Sequence, residues 1–133
     1  MQDFKKLRVW HAAHRLALNV EASCEVRTFR RRPGMRAQIV KTADSIASNI
    51  SEGAGKENTE FARFLDMALG ATDELENHLL RIRDSGLMRA SRANKLIELT
   101  DQVRRMLIRL IPQVRRDRIQ YVSGSRFHVS RET

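Results

Sequence analysis

The stretch DSIASNISEGAGK, at residues 44–56, decides the fold, because its glycines and lysine fit two different structures. A phosphate-binding loop requires G-x-x-x-x-G-K-[ST] between a strand and a helix. Here two glycines are separated by one residue, the lysine is followed by glutamate, and the preceding residues have a helical period. We therefore predict an elbow between two packed helices. In this elbow Gly53 occupies the C′ position of one helix, and Asn58 or Thr59 caps the next.

Four segments around this elbow carry apolar residues at spacings of three and four, which is the pattern of an amphipathic helix. They cover about residues 7–28, 35–52, 59–85 and 91–116. Each helix has one apolar side to bury, and the connections between them are short. The pattern predicts an all-α protein, an antiparallel up-and-down four-helix bundle.

Proline and glycine mark the helix boundaries. The sequence RRRPGM at residues 30–35 breaks the chain between the first two helices, and DSGLMRAS at residues 84–91 breaks it between the last two. In the second break Gly86 suits a C′ position with positive φ, and Ser91 suits an N-cap. Pro112 lies within the fourth helical pattern and is expected either to kink that helix or to end it early.

The composition is that of one helical domain. The chain has 133 residues, of which 41% are hydrophobic and only 5% aromatic. We expect a bundle over residues 1–117 and a flexible tail over residues 118–133, or there a segment added for expression. A single cysteine, the lack of an apolar run long enough for a membrane span and the absence of a signal-like N-terminus favour the cytoplasm.

The net charge of +9 is unevenly distributed. Residues 27–41 contain six basic and no acidic residues, residues 56–86 contain four basic and seven acidic residues, and residues 87–118 contain nine basic and three acidic residues. Such blocks can attract a polyanion, although several arginines could instead pair with the acidic third helix, and a basic surface can simply confer solubility. The predicted nucleic-acid-binding residues are Arg27, Arg30, Arg31, Arg32, Arg36, Arg104, Arg105, Arg109, Arg115 and Arg116.

Small polar residues on the outer side of the second helix predict a contact between subunits. Ser45, Ser48, Asn49 and Glu52 lie opposite its apolar side, where serine is a poor helix former. Gly70 lies opposite the apolar side of the third helix, where glycine costs about 1 kcal/mol relative to alanine. These five residues are the predicted oligomer interface, and the alternative for them is an ordinary solvated face.

No catalytic or metal-binding pattern stands out. His11 and His14 are three residues apart, but no carboxylate or cysteine is placed to complete a metal site, so two unrelated histidines are the simpler interpretation. Cys24 falls on an apolar stripe and is expected to pack. We predict that the protein is not an enzyme and uses no cofactor or metal.

The stretch QIVKTADSIASNISEGAGKENTEFARFLDMALGATDELENHL, at residues 38–79, resembles a family of bacterial four-helix-bundle proteins often encoded in intervening sequences of 23S rRNA genes. SIASNISEG at residues 45–53 is its most specific part, and DFKKLRVWHAAHRLA at residues 3–17 resembles the family's first helix. The resemblance extends over residues 3–116. It implies a homopentameric barrel.

A relative within this resemblance, the accessory variability protein of diversity-generating retroelements, binds nucleic acid and a reverse transcriptase through a basic surface. The resemblance and the charge together lead to two hypotheses. The first is a non-enzymatic oligomer that binds RNA or an RNA–DNA structure electrostatically. The second is a protein-interaction scaffold, for example a reverse-transcriptase accessory subunit, that does not touch nucleic acid. A steep salt dependence of binding would favour the first.

Overall fold

Four α-helices and one short 3-10 helix make up the computed structural model, which describes residues 3–122, with side chains over residues 3–117. The 3-10 helix is Phe4–Lys6. The α-helices are α1 Arg8–Ser23, α2 Pro33–Ala54, α3 Asn58–Asp84 and α4 Ala90–Val122. The part of the chain that the structure describes contains no strand.

Each helix packs against the next along the chain, and α4 returns to pack against α1, whereas the backbones of the two diagonal pairs do not come close to each other. Connections of a few residues make consecutive helices antiparallel. This arrangement confirms the predicted all-α four-helix bundle. In such a bundle the first and third connections lie at one end, and the second connection lies at the other.

The core consists of the predicted apolar stripes. Every apolar residue predicted for the inner side of α3 is buried, and α2 and α4 bury most of theirs. Three threonines are also buried, Thr42, Thr72 and Thr100. Each donates its hydroxyl hydrogen bond to a carbonyl of its own helix, at 2.6 to 2.8 Å, so the core accepts these polar groups without leaving them unpaired.

The first connection is longer than predicted, because α1 ends at Ser23 and not near residue 28. Residues 25–32 form successive turns with backbone hydrogen bonds three residues apart. These turns place Phe29 in the core, where it is 1% exposed. A continued helix would extend past the end of the bundle, and burial of this ring favours the turned path. Pro33 then begins α2, where its fixed φ suits the first helical turn and its missing N–H costs nothing.

The elbow is confirmed, but the predicted role of Gly53 is wrong. Gly53 lies inside α2, which ends at Ala54. A Cβ atom at Gly53 would lie 2.6 Å from Cβ of Phe64, so the glycine is needed for the close approach of α2 to α3. The cap residue of α3 is Glu57, one residue before the pair predicted from sequence, and its side chain makes no capping bond. Lys56 lies over the Phe64 ring at 5.7 Å, as a packing contact.

The third connection agrees with the sequence at its start and differs at its end. Gly86 has φ +75° and follows the cap residue of α3, as predicted. The N–H of Leu87 donates to the carbonyl of Ile82, and the N–H of Gly86 donates to that of Arg83, which is the Schellman pattern. Ser91 is not the N-cap, because α4 already begins at Ala90.

Pro112 lies inside α4 and does not end it. The helix continues to Val122. The predicted boundary after residue 117 falls within α4. The rest of the predicted tail, residues 123–133, lies outside the described residues.

Candidate nucleic-acid interface

The first and third connections meet at one end of the bundle. A cleft of about 550 Å³ lies between them, with Ser23, Glu25 and Thr28 on one wall and residues 87–95 on the other. We call this region, residues 25–32 together with residues 89–95, the basic end. It contains seven basic residues and one acidic residue, so the connections concentrate positive charge that is far apart in the sequence.

The arginines of the first connection are exposed. Arg27, Arg30, Arg31 and Arg32 all point away from the core. Arg27 approaches Glu25 at 3.5 Å, in a pair whose two side chains are both mainly solvated. Within the described residues the other three make no ion pair or side-chain hydrogen bond. Their charges are therefore compensated only by solvent and remain available to a ligand.

Arg36, the fifth arginine predicted in this region, is engaged within the fold. Its Nε donates to the carbonyl oxygen of Cys24 at 2.6 Å, in a partly buried contact. This hydrogen bond ties the start of α2 to the end of α1. The structure thus separates Arg36, which holds the first connection in place, from its exposed neighbours.

Arg104 is the most engaged of the α4 arginines. Its side chain is only 16% exposed and lies at the seam between α3 and α4. Both terminal nitrogens donate to Oε1 of Glu76, at 2.6 and 3.1 Å, and oxygens of Asp73 and Asp101 lie 3.5 Å away. Three carboxylates therefore surround one guanidinium, and this arginine joins the two helices.

The other α4 arginines divide into paired and unpaired residues. Arg105 pairs with Asp101 on its own helix, and Arg115 pairs with Asp66 of α3 at 2.6 Å. Arg109 and Arg116 are exposed, and the described residues provide them with no ion-pair partner. Pairing with acidic residues, which was one of the alternatives from sequence, thus accounts for three of the five predicted α4 arginines.

Sequence reasoning missed three cations of the basic end. Arg89, Arg92 and Lys95 follow the third connection, are exposed and line the cleft. They belong to the basic block of residues 87–118 but were not singled out. The signal that finds them is topological, since the first and third connections of an up-and-down bundle lie at the same end.

The polar side of α2 satisfies its hydroxyl groups internally. Ser45 donates to the carbonyl of Thr42 at 2.7 Å, Ser48 donates to that of Asp44 at 3.2 Å, and Asn49 donates to that of Ser45 at 2.8 Å. Such bonds hold short side chains against the helix. The result is a low surface with few protruding polar groups.

The predicted interface residues lie at exposed or half-buried positions of α2 and α3. Ser45, Asn49 and Gly53 recur every four residues and form one stripe, which contacts α3 at Gly53. Glu52 is exposed beside this stripe, and Gly70 is exposed on α3. Apart from its chain neighbours and the backbone of its own helix, no described atom lies within 4 Å of where a Cβ on Gly70 would be, so packing within the described chain does not require this glycine.

The histidines and the cysteine are engaged in local contacts. His14 stacks on Trp10 with a centroid separation of 4.8 Å, and His11 meets the same ring edge-on at 5.0 Å while its Nε2 bonds the carbonyl of Lys5 at 2.7 Å. Burial raises the pKa of the Cys24 thiol to about 11, and nearby Arg36 opposes this shift only in part. The thiol is therefore protonated at neutral pH, the form that is a poor nucleophile.

The described residues have neither a metal-binding cluster nor a membrane-spanning helix. They contain no group of three or more histidine, cysteine, aspartate or glutamate side chains arranged to hold a metal ion. Among these same residues, no helix has both the length and the apolar character needed to cross a membrane.

Comparison with known proteins identifies a family. The family model described as 23S rRNA-intervening sequence protein matches residues 5–109, which is most of the bundle. No curated protein matches the chain. The matched residues include all of α1, α2 and α3, both walls of the cleft and the first part of α4.

Proposed function

The chain belongs to the 23S rRNA-intervening sequence protein family, and from this premise we propose that it is a non-enzymatic, oligomeric protein that binds nucleic acid electrostatically. The ligand is RNA or a structured RNA–DNA hybrid, met in the cytoplasm. The binding surface is the basic end, extended along α4 by the unpaired Arg109 and Arg116.

One observation carries this proposal. The basic end has exposed arginines, Arg30, Arg31 and Arg32, that make no ion pair within the described chain, whereas Arg104 and Arg115 are paired with carboxylates. A cation without a partner gains most from a phosphate, because no existing pair must be broken. Each neutralised phosphate releases condensed counterions, so affinity from this source falls steeply as salt rises.

Binding by this surface would depend on the shape and charge of the nucleic acid more than on its base sequence. The basic end has no exposed aromatic side chain on which bases could stack, since Phe29 is buried. Contacts to phosphates position a nucleic acid without selecting its bases. Several copies in one assembly would then add weak contacts through avidity.

We further propose that the copies associate through the outer faces of α2 and α3, at Ser45, Ser48, Asn49, Glu52 and Gly70. The family resemblance implies five copies in a barrel. The low polar surface of α2 and the exposed Gly70 support this choice of face, because both allow a neighbouring backbone to approach closely.

The test combines light-scattering mass with titration of a fluorescently labelled, structured RNA at several salt concentrations. We expect a pentamer that binds the RNA at low salt and releases it progressively as salt rises. A pentamer that shows no binding of the RNA even at low salt would contradict the nucleic-acid proposal.

The second candidate is a protein-interaction scaffold, for example a reverse-transcriptase accessory subunit. The observation that favours it is the α2 surface itself, whose internally bonded serines suit a packed protein contact as well as a contact between copies. Complex formation by a packed interface would change little with salt, and it would persist when the exposed arginines are removed.

A further inference from the structure

The cleft at the basic end has the size of a small-ligand site and a mainly polar lining. Its volume of about 550 Å³ lies within the range of roughly 300 to 1,000 Å³ that is usual for ligand pockets. Leu87 and Met88 provide a small apolar part of the wall, and Thr28 and Ser91 provide hydroxyl groups. A mainly polar lining suits a charged ligand group more than a large apolar one.

Positive charge converges on the same cleft. Arg89, Arg92 and Lys95 line it, against one carboxylate from Glu25. Arg89 and Arg92 make no ion pair within residues 3–117, and Lys95 reaches Glu98 only at 3.9 Å, with both side chains largely exposed. Glu25 is itself engaged with Arg27, so it offsets little of this charge.

The start of α4 adds backbone donors to this charge. The N–H groups of Ala90 and Ser91 have no backbone acceptor among the described residues, as expected for the first turn of a helix. A 33-residue helix also directs the positive end of its dipole to this point. The three cations that line the cleft and the start of α4 thus lie on one side of it.

The opposite wall adds little charge. Ser23 borders the cleft, but its Oγ atom is buried and does not face the opening. The only acidic residue that lines the cleft within the described chain is Glu25.

We propose that the cleft binds the terminal phosphate monoester of a nucleotide, either free or at the end of a nucleic-acid chain. The phosphate contacts Arg89, Arg92 and Lys95 beside the start of α4, and the nucleoside lies against Leu87 and Met88. A terminal monoester carries close to two negative charges at neutral pH, whereas an internal phosphodiester carries one. Three cations and free backbone donors therefore match the terminal group better.

This proposal deepens the proposed function by giving the basic end a preferred ligand group, and it can fail separately. The test uses one short single-stranded RNA in three forms, with a 5′ phosphate, with a 3′ phosphate and with hydroxyl groups at both ends. A fluorescent label is placed at the other end, and affinity is measured by anisotropy at physiological salt. We expect one phosphorylated form to bind about tenfold more tightly than the unphosphorylated form, which is the effect of one charge-assisted contact.

The cleft variant is Arg89→Ala/Arg92→Ala, and its matched control is Arg109→Ala/Arg116→Ala, which removes the same charge from the exposed side of α4. The cleft variant should bind the phosphorylated and unphosphorylated forms equally. The control should weaken both forms alike and retain the preference. Equal affinity of all forms for the unaltered protein, or a preference that persists in the cleft variant, would overturn the proposal for chain ends.

Calorimetry with adenosine 5′-monophosphate and adenosine tests the free nucleotide. The site is supported if the monophosphate binds saturably, adenosine does not bind, and the cleft variant no longer binds the monophosphate. This result would support the site even if no RNA binds, and only the broader nucleic-acid proposal would then fail. If neither the monophosphate nor a phosphorylated chain end is preferred, the cleft is not a phosphate site, whereas salt-dependent binding of unphosphorylated RNA would still support the broader proposal.

Discussion

The elbow between α2 and α3 and the basic end, at opposite ends of the bundle, differ in how their cations are engaged. At the elbow Lys56, and at the start of α3 Arg63, lie over the ring of Phe64, at 5.7 and 5.0 Å from its centroid. Within the described residues the arginines of the basic end contact no ring, and only Arg27 pairs with a carboxylate. The cations at the elbow therefore pack on an aromatic ring, whereas most of those at the basic end remain free to bind a partner.

The difference shows that a basic residue cannot be interpreted from its sequence block alone. Between the two ends, the seam of α3 and α4 holds Arg104 among three carboxylates, and yet Arg109, about one and a half turns further along, is unpaired. What decides each case is the neighbouring helix. Binding predictions should therefore rest on the cations that the fold leaves without a partner.

The largest effect on stability is expected at the elbow, from Gly53→Ala. The new methyl group would meet Cβ of Phe64, an atom fixed to the backbone, so the helices themselves would have to separate. We expect a loss of about 1–3 kcal/mol in the free energy of unfolding. Denaturant unfolding followed by circular dichroism measures this loss.

The same variant also tests whether the elbow and the basic end act independently. If it remains folded at room temperature, Gly53→Ala should bind RNA as the unaltered protein does, because the elbow is remote from the basic end. An unchanged midpoint of unfolding would show that α2 and α3 are not in close contact at Gly53.

The next effect is expected at the seam, from Arg104→Ala. Removal of this guanidinium leaves Glu76 and its neighbours without their shared cation, and it should cost about 1–2 kcal/mol of unfolding free energy. Arg109→Ala is the matched control on the same helix, and it should change stability by less than about 0.5 kcal/mol. Equal stability of the two variants would mean that the seam does not distinguish these arginines.

The smallest effect is expected from Gly70→Ala, at an exposed glycine that contrasts with the buried Gly53. An added methyl group at Gly70 meets nothing within the chain, and alanine is the better helix former by about 1 kcal/mol. We expect the individual subunit to gain stability while the assembly weakens, seen as a lower light-scattering mass at a given concentration. A variant that keeps the full mass would argue against a subunit contact at this position.

The sequence was sufficient for the fold because periodicity and turn residues act locally. The four stripes predict four helices, and Gly86 predicts the positive φ that ends α3. The end of α1 could not be predicted, because it depends on burial of Phe29 by the rest of the bundle. Gly53 was misinterpreted for a related reason, since its glycine serves contact with a distant aromatic residue and not the local turn.

The candidate site was only partly predictable from sequence. Block composition identified the arginines of the first connection, but Arg89 and Arg92 acquire their place only when the third connection folds beside the first. The pairing of Arg104 and Arg115 depends on the register of α3 against α4, which no residue pattern within either helix specifies.

The most direct test of the account measures how RNA affinity depends on salt for two triple variants. Arg30→Ala/Arg31→Ala/Arg32→Ala removes three charges from the basic end, and Lys5→Ala/Lys6→Ala/Arg8→Ala removes three exposed charges from the opposite end. We expect the slope of log affinity against log salt to become shallower by about 2 to 3 for the first variant, because each of the three lost phosphate contacts removes about 0.7 to 0.9, and to stay constant for the second. Equal slopes for the two variants would contradict a binding role for the basic end, since binding would then follow net charge alone.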